Sequence, residues 1–431
     1  MSRLRTALAL VAGALVAATA LSPAASADAA LPVVVVSDDI TTDQTWTAGS
    51  VHVIRGGGVF VAEGATLTLE SGAIVKGEPG SVLGVVDAPS RILAQGTAAA
   101  PVVITSIRDD SAGGDSNGDG AATTPAPGDW NGITVQDGYF GAGLGAFSGT
   151  HTQIRYGEVN AGGPFSLQSS AILQPGRATY LSGDVTLVDS DLDGGLTLTS
   201  RNDAEDYSIF PTVRITGNRF TGGDVEISSL STPRFSPLGR LVVTGNTVEG
   251  ASGHPLRISS DTLLPSSLTG NRIIGGAADA VALSGVLAED LTLTPARAAR
   301  LVVLGSPDYL AGLKVGAGHT MSVLPGAVLR FEPTGAATVN ALTVAGTLAV
   351  LGTPNRPVVF TTDGPGTWGG IAVAAAGGRL AAAGLRIESA ASGPLSDVAA
   401  VADPVLLTAA TPRCGYAVTS GTLRSACLPG R

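Results

Sequence analysis

The run Asp115-Ser116-Asn117-Gly118-Asp119-Gly120 puts oxygen-bearing side chains at alternate positions and a glycine at the sharp bend, which is the first half of a calcium loop. The twelfth position, where a bidentate Glu would complete the shell, is Ala126, and the next carboxylate is Asp129. Asp109 and Asp110 could close the shell from the other side. The expected ligands are Asp115, Asn117, Asp119 and Asp129, around a structural Ca2+ that neutralises clustered carboxylates and orders a loop with little of its own to bury. The alternative is the same Asp/Gly/Asn loop without an ion.

Other groups of reactive side chains are less organised. Asp189, Asp191 and Asp193, followed by Asp203, Glu205 and Asp206, form the densest carboxylate set elsewhere, and two carboxylates at a suitable separation can hydrolyse a glycosidic bond. The first three alternate around a turn, however, where charge is simply tolerated by solvent. His52, His151, His254 and His319 show no spacing used by metal pairs, and neither a nucleophile elbow nor a Walker-type loop is present. Cys414 and Cys427, the chain's 2 cysteines, have no histidine near them, which disfavours zinc and thiol catalysis and points to a disulfide.

The elements that carry these residues repeat. Val185–Gly195, Val213–Gly223, Leu241–Gly250 and Leu268–Gly276 are variants of one phrase in which apolar residues flank a polar turn, and Ser190, Asn218, Asn246 and Asn271 recur in it 28, 28 and 25 residues apart. A period in the twenties with strand-like residues fits one coil of a parallel β-helix. The alternating runs at Val51, Val59, Leu67 and Ile74 start 8, 8 and 7 residues apart, which predicts three short strands per coil. Ser190, Asn218, Asn246 and Asn271 then form a structural ladder, because asparagine tolerates the left-handed region and its amide can bond its twin one coil away. Register also places Leu196, Val225, Leu256 and Val281 in one inward column and Thr197, Glu226, Arg257 and Ala282 in the outward one, with Glu226 and Arg257 close enough to pair.

A longer repeat links the two ends. Gly64–Lys76 aligns with Gly318–Arg330, Gly96–Thr105 with Gly352–Thr361, and Asp129–Val135 with Thr367–Val373. The insert between the last two segments, Ser106–Gly128 in the first copy, shrinks to Thr362–Gly366 in the second. Trp130 and Trp368 occupy matching places, which favours a packing role over sugar stacking.

Composition agrees with a β-rich chain: of 431 residues 59 are Gly and 25 Pro, 44% are hydrophobic and 14% charged, and the net charge is −10. The acidic balance disfavours nucleic acid, anionic membrane and acidic polysaccharide as partners. Arg3 and Arg5, the apolar run Ala7–Leu21 and Ala25-Ser26-Ala27 read as a secretory signal peptide. The organisation expected is a signal peptide at 1–27, a lead or cap at 28–44, a β-helix at 45–411 with the insert at 106–128, and a tail at 412–431 carrying the disulfide.

With its Thr-Gly-Asn phrases, its Gly-Thr-x-x-x-Pro-Val-x-x-Thr strands and its Gly-Asp-Trp-x-Gly-Ile stretch at Gly128–Ile133, the chain resembles bacterial secreted proteins with right-handed parallel β-helix repeats, in the pectin-lyase-like superfamily. The resemblance implies an all-β, right-handed parallel β-helix solenoid. It also implies a choice between polysaccharide lyases or hydrolases and adhesins without catalysis. The Asn-Thr-Asp strand, paired Asp-Asp and Gly-His-Gly turn of polygalacturonase-like enzymes are missing, Gly253-His254-Pro255 being the nearest approach, and so is the Arg-x-Pro-x-x-Arg segment of pectate-lyase-like ones. The leading expectation is therefore a secreted, extracellular, monomeric, non-catalytic β-helix protein, structural, adhesive or in contact with polysaccharide or cell-surface glycan. The alternative is a polysaccharide lyase or glycoside hydrolase acting near Asp189–Asp206.

Overall fold

The structure, a computed structural model, describes residues 31–136, 145–201, 212–230, 241–250, 253–275, 280–304, 312–333, 342–374 and 377–390, together with the backbone of strands at 395–396, 406–408, 414–419 and 422–427. The signal segment 1–27 and Asp203, Glu205 and Asp206 lie outside these residues.

Short strands of alternating apolar residues wind into stacked parallel sheets. From Val59 to Leu263 successive strands visit three sheets in rotation, and each strand from Val59–Val61 to Val225–Leu230 pairs in parallel with the strand three places further on. Alternation explains the core: inward positions stack into columns such as Leu187, Ile215 and Val243, or Leu198, Ile227 and Ile258, all at most 1% exposed. Each such side chain contributes about 1.5–3 kcal/mol on burial, so the continuous column is the main stabilising term. The outward column runs Thr197, Glu226, Arg257, Ala282 in adjacent register. Arg257 meets Glu332 at 3.3 Å.

The lead 28–44 contributes a strand, Val33–Val36, which pairs with Val51–Ile54 at the edge of the 10-stranded sheet. At the other end, Cys414–Thr419 and Thr422–Cys427 pair antiparallel with Cys414 and Cys427 as register partners.

The cross-section changes once. Strand Val281–Leu287 pairs along its first half with Leu301–Val303 and along its second half with Leu313–Val315, so one sheet divides in two. Gly285 lies between the halves at φ +119, and a Cβ there would sit 1.7 Å from the Ser260 carbonyl oxygen, which only glycine avoids. Beyond this point the repeated module reappears strand for strand: Thr66–Leu69, Ile74–Gly77 and Val82–Val85 correspond to Thr320–Val323, Val328–Phe331 and Leu342–Val344, with matching parallel partners.

The tryptophans mark the equivalence. The indole N–H of Trp130 donates to the Arg155 carbonyl at 3.1 Å and that of Trp368 to the Glu388 carbonyl at 2.7 Å, and both side chains are buried. Trp130 packs over Gly77, whereas Trp368 stacks on Phe331, the residue in the corresponding place, with ring centroids 4.0 Å apart.

Candidate functional site

The insert folds back over the outer surface of the first sheet. Val51 and Val53 point outward there, and the insert covers them with Ile107, while the Leu31 N–H reaches the Gly113 carbonyl at 3.2 Å. Lys76, also outward on this face, is consequently 0% exposed, and its Nζ donates to the Gly114 carbonyl at 2.8 Å.

Above Lys76 the loop is wound by its own carboxylates. Asp115 accepts from the N–H groups of Gly118 at 2.7 Å and Gly120 at 2.8 Å, the tight turn that Gly118 and Gly120 permit at φ +75 and +70. Asn117 Nδ2 donates to Asp119 Oδ2 at 2.9 Å and to Thr123 Oγ1 at 3.2 Å. Among the described residues the acidic group compact enough to share an ion is Asp110, Asp115 and Asp119, with one carboxylate oxygen of each lying within 4.8 Å of the others. Asp110 Oδ1 and Asp119 Oδ1 are buried without a hydrogen-bond partner.

Asp129 sits at the base of the insert instead. It takes Arg108 at 2.7 Å, Ser106 Oγ at 3.0 Å and the Ala126 N–H at 3.0 Å, which staples the two ends of the loop together. Asp109 is engaged by Arg155 at 3.2 Å and by the hydroxyl of Thr105 at 2.7 Å.

These surroundings push the acids apart. Burial raises Asp110, and the neighbouring Asp115 and Asp119 raise it further against the pull of Lys76. Hydrogen bonds from the Gly120, Gly118 and Asp119 N–H groups hold Asp115 below the usual carboxylate range, opposed by desolvation. Burial alone would raise Asp109, but hydrogen bonds from Ser111 and Thr105 and the charge of Arg155 leave it lowered. Lys76 is lowered by desolvation, which Asp109, Asp110 and Asp115 partly offset. Two acceptors without donors beside a hard, all-oxygen set fit a divalent cation. Lys76 supplies part of the compensating charge.

Ser190, Asn218, Asn246 and Asn271 stand in one column at the bend between two sheets. Asn218 Oδ1 accepts from the Ser190 N–H at 3.0 Å, Asn246 Oδ1 from the Asn218 N–H at 2.9 Å, and Asn271 Oδ1 from the Asn246 N–H at 3.1 Å. The column continues through hydroxyls, since Ser190 Oγ accepts from the Ser170 N–H at 3.1 Å and Ser170 Oγ from the Thr152 N–H at 2.9 Å. Every group in it is used by the backbone.

A second polar group lies beyond the sequence motifs. His254 Nε2 is 3.1 Å from Asp363, whose other oxygen is 3.5 Å from Arg330, and the Arg257–Glu332 pair shares this face. The module alignment carried a signal for it, because Lys76 and Arg330 are equivalent and each places a cation beside its own copy of the insert. Asp189 and Asp191 remain near the ladder turn and do not join this group.

Residues 38–185 match the family model of the pectate-lyase-like β-helix domain. No curated protein and no solved structure matches the chain. Among the described residues no helix is long and apolar enough to cross a membrane.

Proposed function

We propose that this chain, which carries a pectate-lyase-like β-helix domain, is an exported, non-catalytic scaffold whose solvent faces contact polysaccharide or cell-surface glycan. A structural Ca2+ in the insert stiffens it. The carrying observation is how the acids at the base of the insert are spent: Asp109 is tied to Arg155 and Asp129 to Arg108. Groups already neutralised by partners are poor proton shuttles. The unpartnered oxygens of Asp110 and Asp119 support ligation by Asp110, Asp115 and Asp119, with Asn117 on the loop's rim and Asp129 fixing its base. The same exported reading carries a Cys414–Cys427 disulfide.

Chelation tests the ion. An ion present at a hundred times its dissociation constant stabilises by about 2.7 kcal/mol, so the melting temperature should fall by several degrees in chelator and recover with Ca2+. An unchanged melting temperature removes calcium from the proposal.

A second reading, a polysaccharide lyase or hydrolase, is favoured by the convergence of His254, Asp363, Arg330, Arg257 and Glu332 on one face. Incubation with plant, algal and bacterial glycans separates the two. New reducing ends or unsaturated uronates, lost in Asp363→Asn, would establish the enzyme.

A further inference from the structure

Between Arg91–Gln95 and Val102–Ser106 the chain takes a full loop, closed by the Thr97 N–H on the Ala100 carbonyl at 3.1 Å. In the next rungs the same connection shrinks to the turns His151-Thr152, Ser169-Ser170 and Asp189-Ser190, whose first residues sit at φ 44, 49 and 49. The step from long loop to short turns leaves a depression of about 350 Å³, with Thr97 and Pro101 on one wall and His151, Gln153, Asp189 and Asp191 across the rest.

Its chemistry is selective. No tryptophan, tyrosine or phenylalanine lines it, so stacking on a broad aromatic face is not its mode of recognition, and no lysine or arginine lines it, so a uronate or sulfated sugar would be repelled. Among the described residues no ion pair engages Asp189 or Asp191, and Arg219, the register partner of Asp191, is bound to Glu249 at 3.2 Å. Gly217 leaves room on the following rung for the Asp189 carboxylate, since a Cβ there would lie 2.2 Å from Oδ1. What remains is a polar hollow with two carboxylates that have no ion-pair partner among the described residues, beside a hydroxyl, an imidazole and an amide.

We propose that this depression binds an amino-sugar unit of a cationic glycan, its ammonium held by Asp189 and Asp191 and its hydroxyls by Thr97, His151 and Gln153. This rests on the glycan-contacting reading and deepens it.

The test is calorimetric titration of the full chain with a glucosamine oligomer at mildly acidic pH. The fully N-acetylated oligomer and an oligolysine of equal charge serve as comparisons. The variant is Asp189→Asn with Asp191→Asn, in which asparagine keeps the positive φ at 189 tolerable. The glucosamine oligomer should bind, acetylation should weaken it at least about tenfold, and the double variant should lose about tenfold at an unchanged melting temperature.

Equal binding of the acetylated oligomer, full retention by the double variant, or equally tight oligolysine would each overturn the proposal. Binding of some other glycan but not of glucosamine overturns it and leaves the broader reading standing. Binding of no glycan at all removes both.

Discussion

Lys76 and a bound cation are two answers to one electrostatic problem. Asp110, Asp115 and Asp119 converge over a lysine that is 0% exposed, and in the ion-free protein that lysine is the compensating charge beneath them. Lys76→Met keeps the apolar stem but strips the Gly114 carbonyl of its donor, so it should cost about 1–3 kcal/mol in chelator, most of it restored by Ca2+. Asp110→Asn should act oppositely, raising the melting temperature in chelator and abolishing the calcium increment. The pH dependence has a definite sign. Because Asp110 is raised, the folded state holds its proton more tightly than the unfolded chain, and its charge becomes destabilising as pH rises from the ordinary value of about 3.9 through its own. Asp115 is depressed, so its contribution is present above the ordinary value and lost as pH falls through its lower one. Calcium needs Asp110 ionised. Thermal melts with and without Ca2+ should therefore converge as pH drops through the raised Asp110 value, and a constant increment across that window contradicts the assignment. The Asp115–Gly120 run was legible in sequence because its ligands are local. Lys76 was not singled out, because its burial depends on an insert that returns across the sheet.

At the scale of the element, the ladder turn is where repetition was most legible. A residue recurring at one register must face its own kind, and the apolar positions beside it alternate with period two. Its members are not equal. Asn246 accepts from the Asn218 N–H and from Asn218 Nδ2, and donates to Asn271 Oδ1 and the Ile215 carbonyl. Ser190 accepts from the Ser170 N–H and donates to the Val188 carbonyl. Asn246→Ala should therefore destabilise by about 3 kcal/mol or more and Ser190→Ala by about 1–2 kcal/mol, which urea denaturation can resolve. Equal losses would mean that the ladder's amides add nothing beyond a cap on the turn. The division of the sheet at Gly285 was not legible. One glycine among 59 carries no mark until the Ser260 carbonyl is known to approach it.

The whole molecule is a line of rungs, each touching its neighbours, so a disturbance in one module reaches the other only through the rungs between. The two-module plan was readable from aligned segments of sequence, but the change of sheets between them was not, since both copies carry the same strand pattern on either side of it. This geometry gives the calcium proposal a spatial test. Trp130 sits in the module that holds the insert, and Trp368 in the module where the insert has shrunk to a short loop. Because each indole is buried, its emission reports local packing. Replacing Trp46 by Phe in both, and then Trp368 or Trp130 in turn, gives two single-tryptophan proteins. Chelation should lower the denaturant midpoint reported by Trp130, whereas the midpoint reported by Trp368 should move little, since stability in a nearest-neighbour array decays with distance from the perturbed rung. If both probes shift together, the solenoid unfolds as a single cooperative unit, and the ion stabilises all of it rather than the rungs beneath the insert.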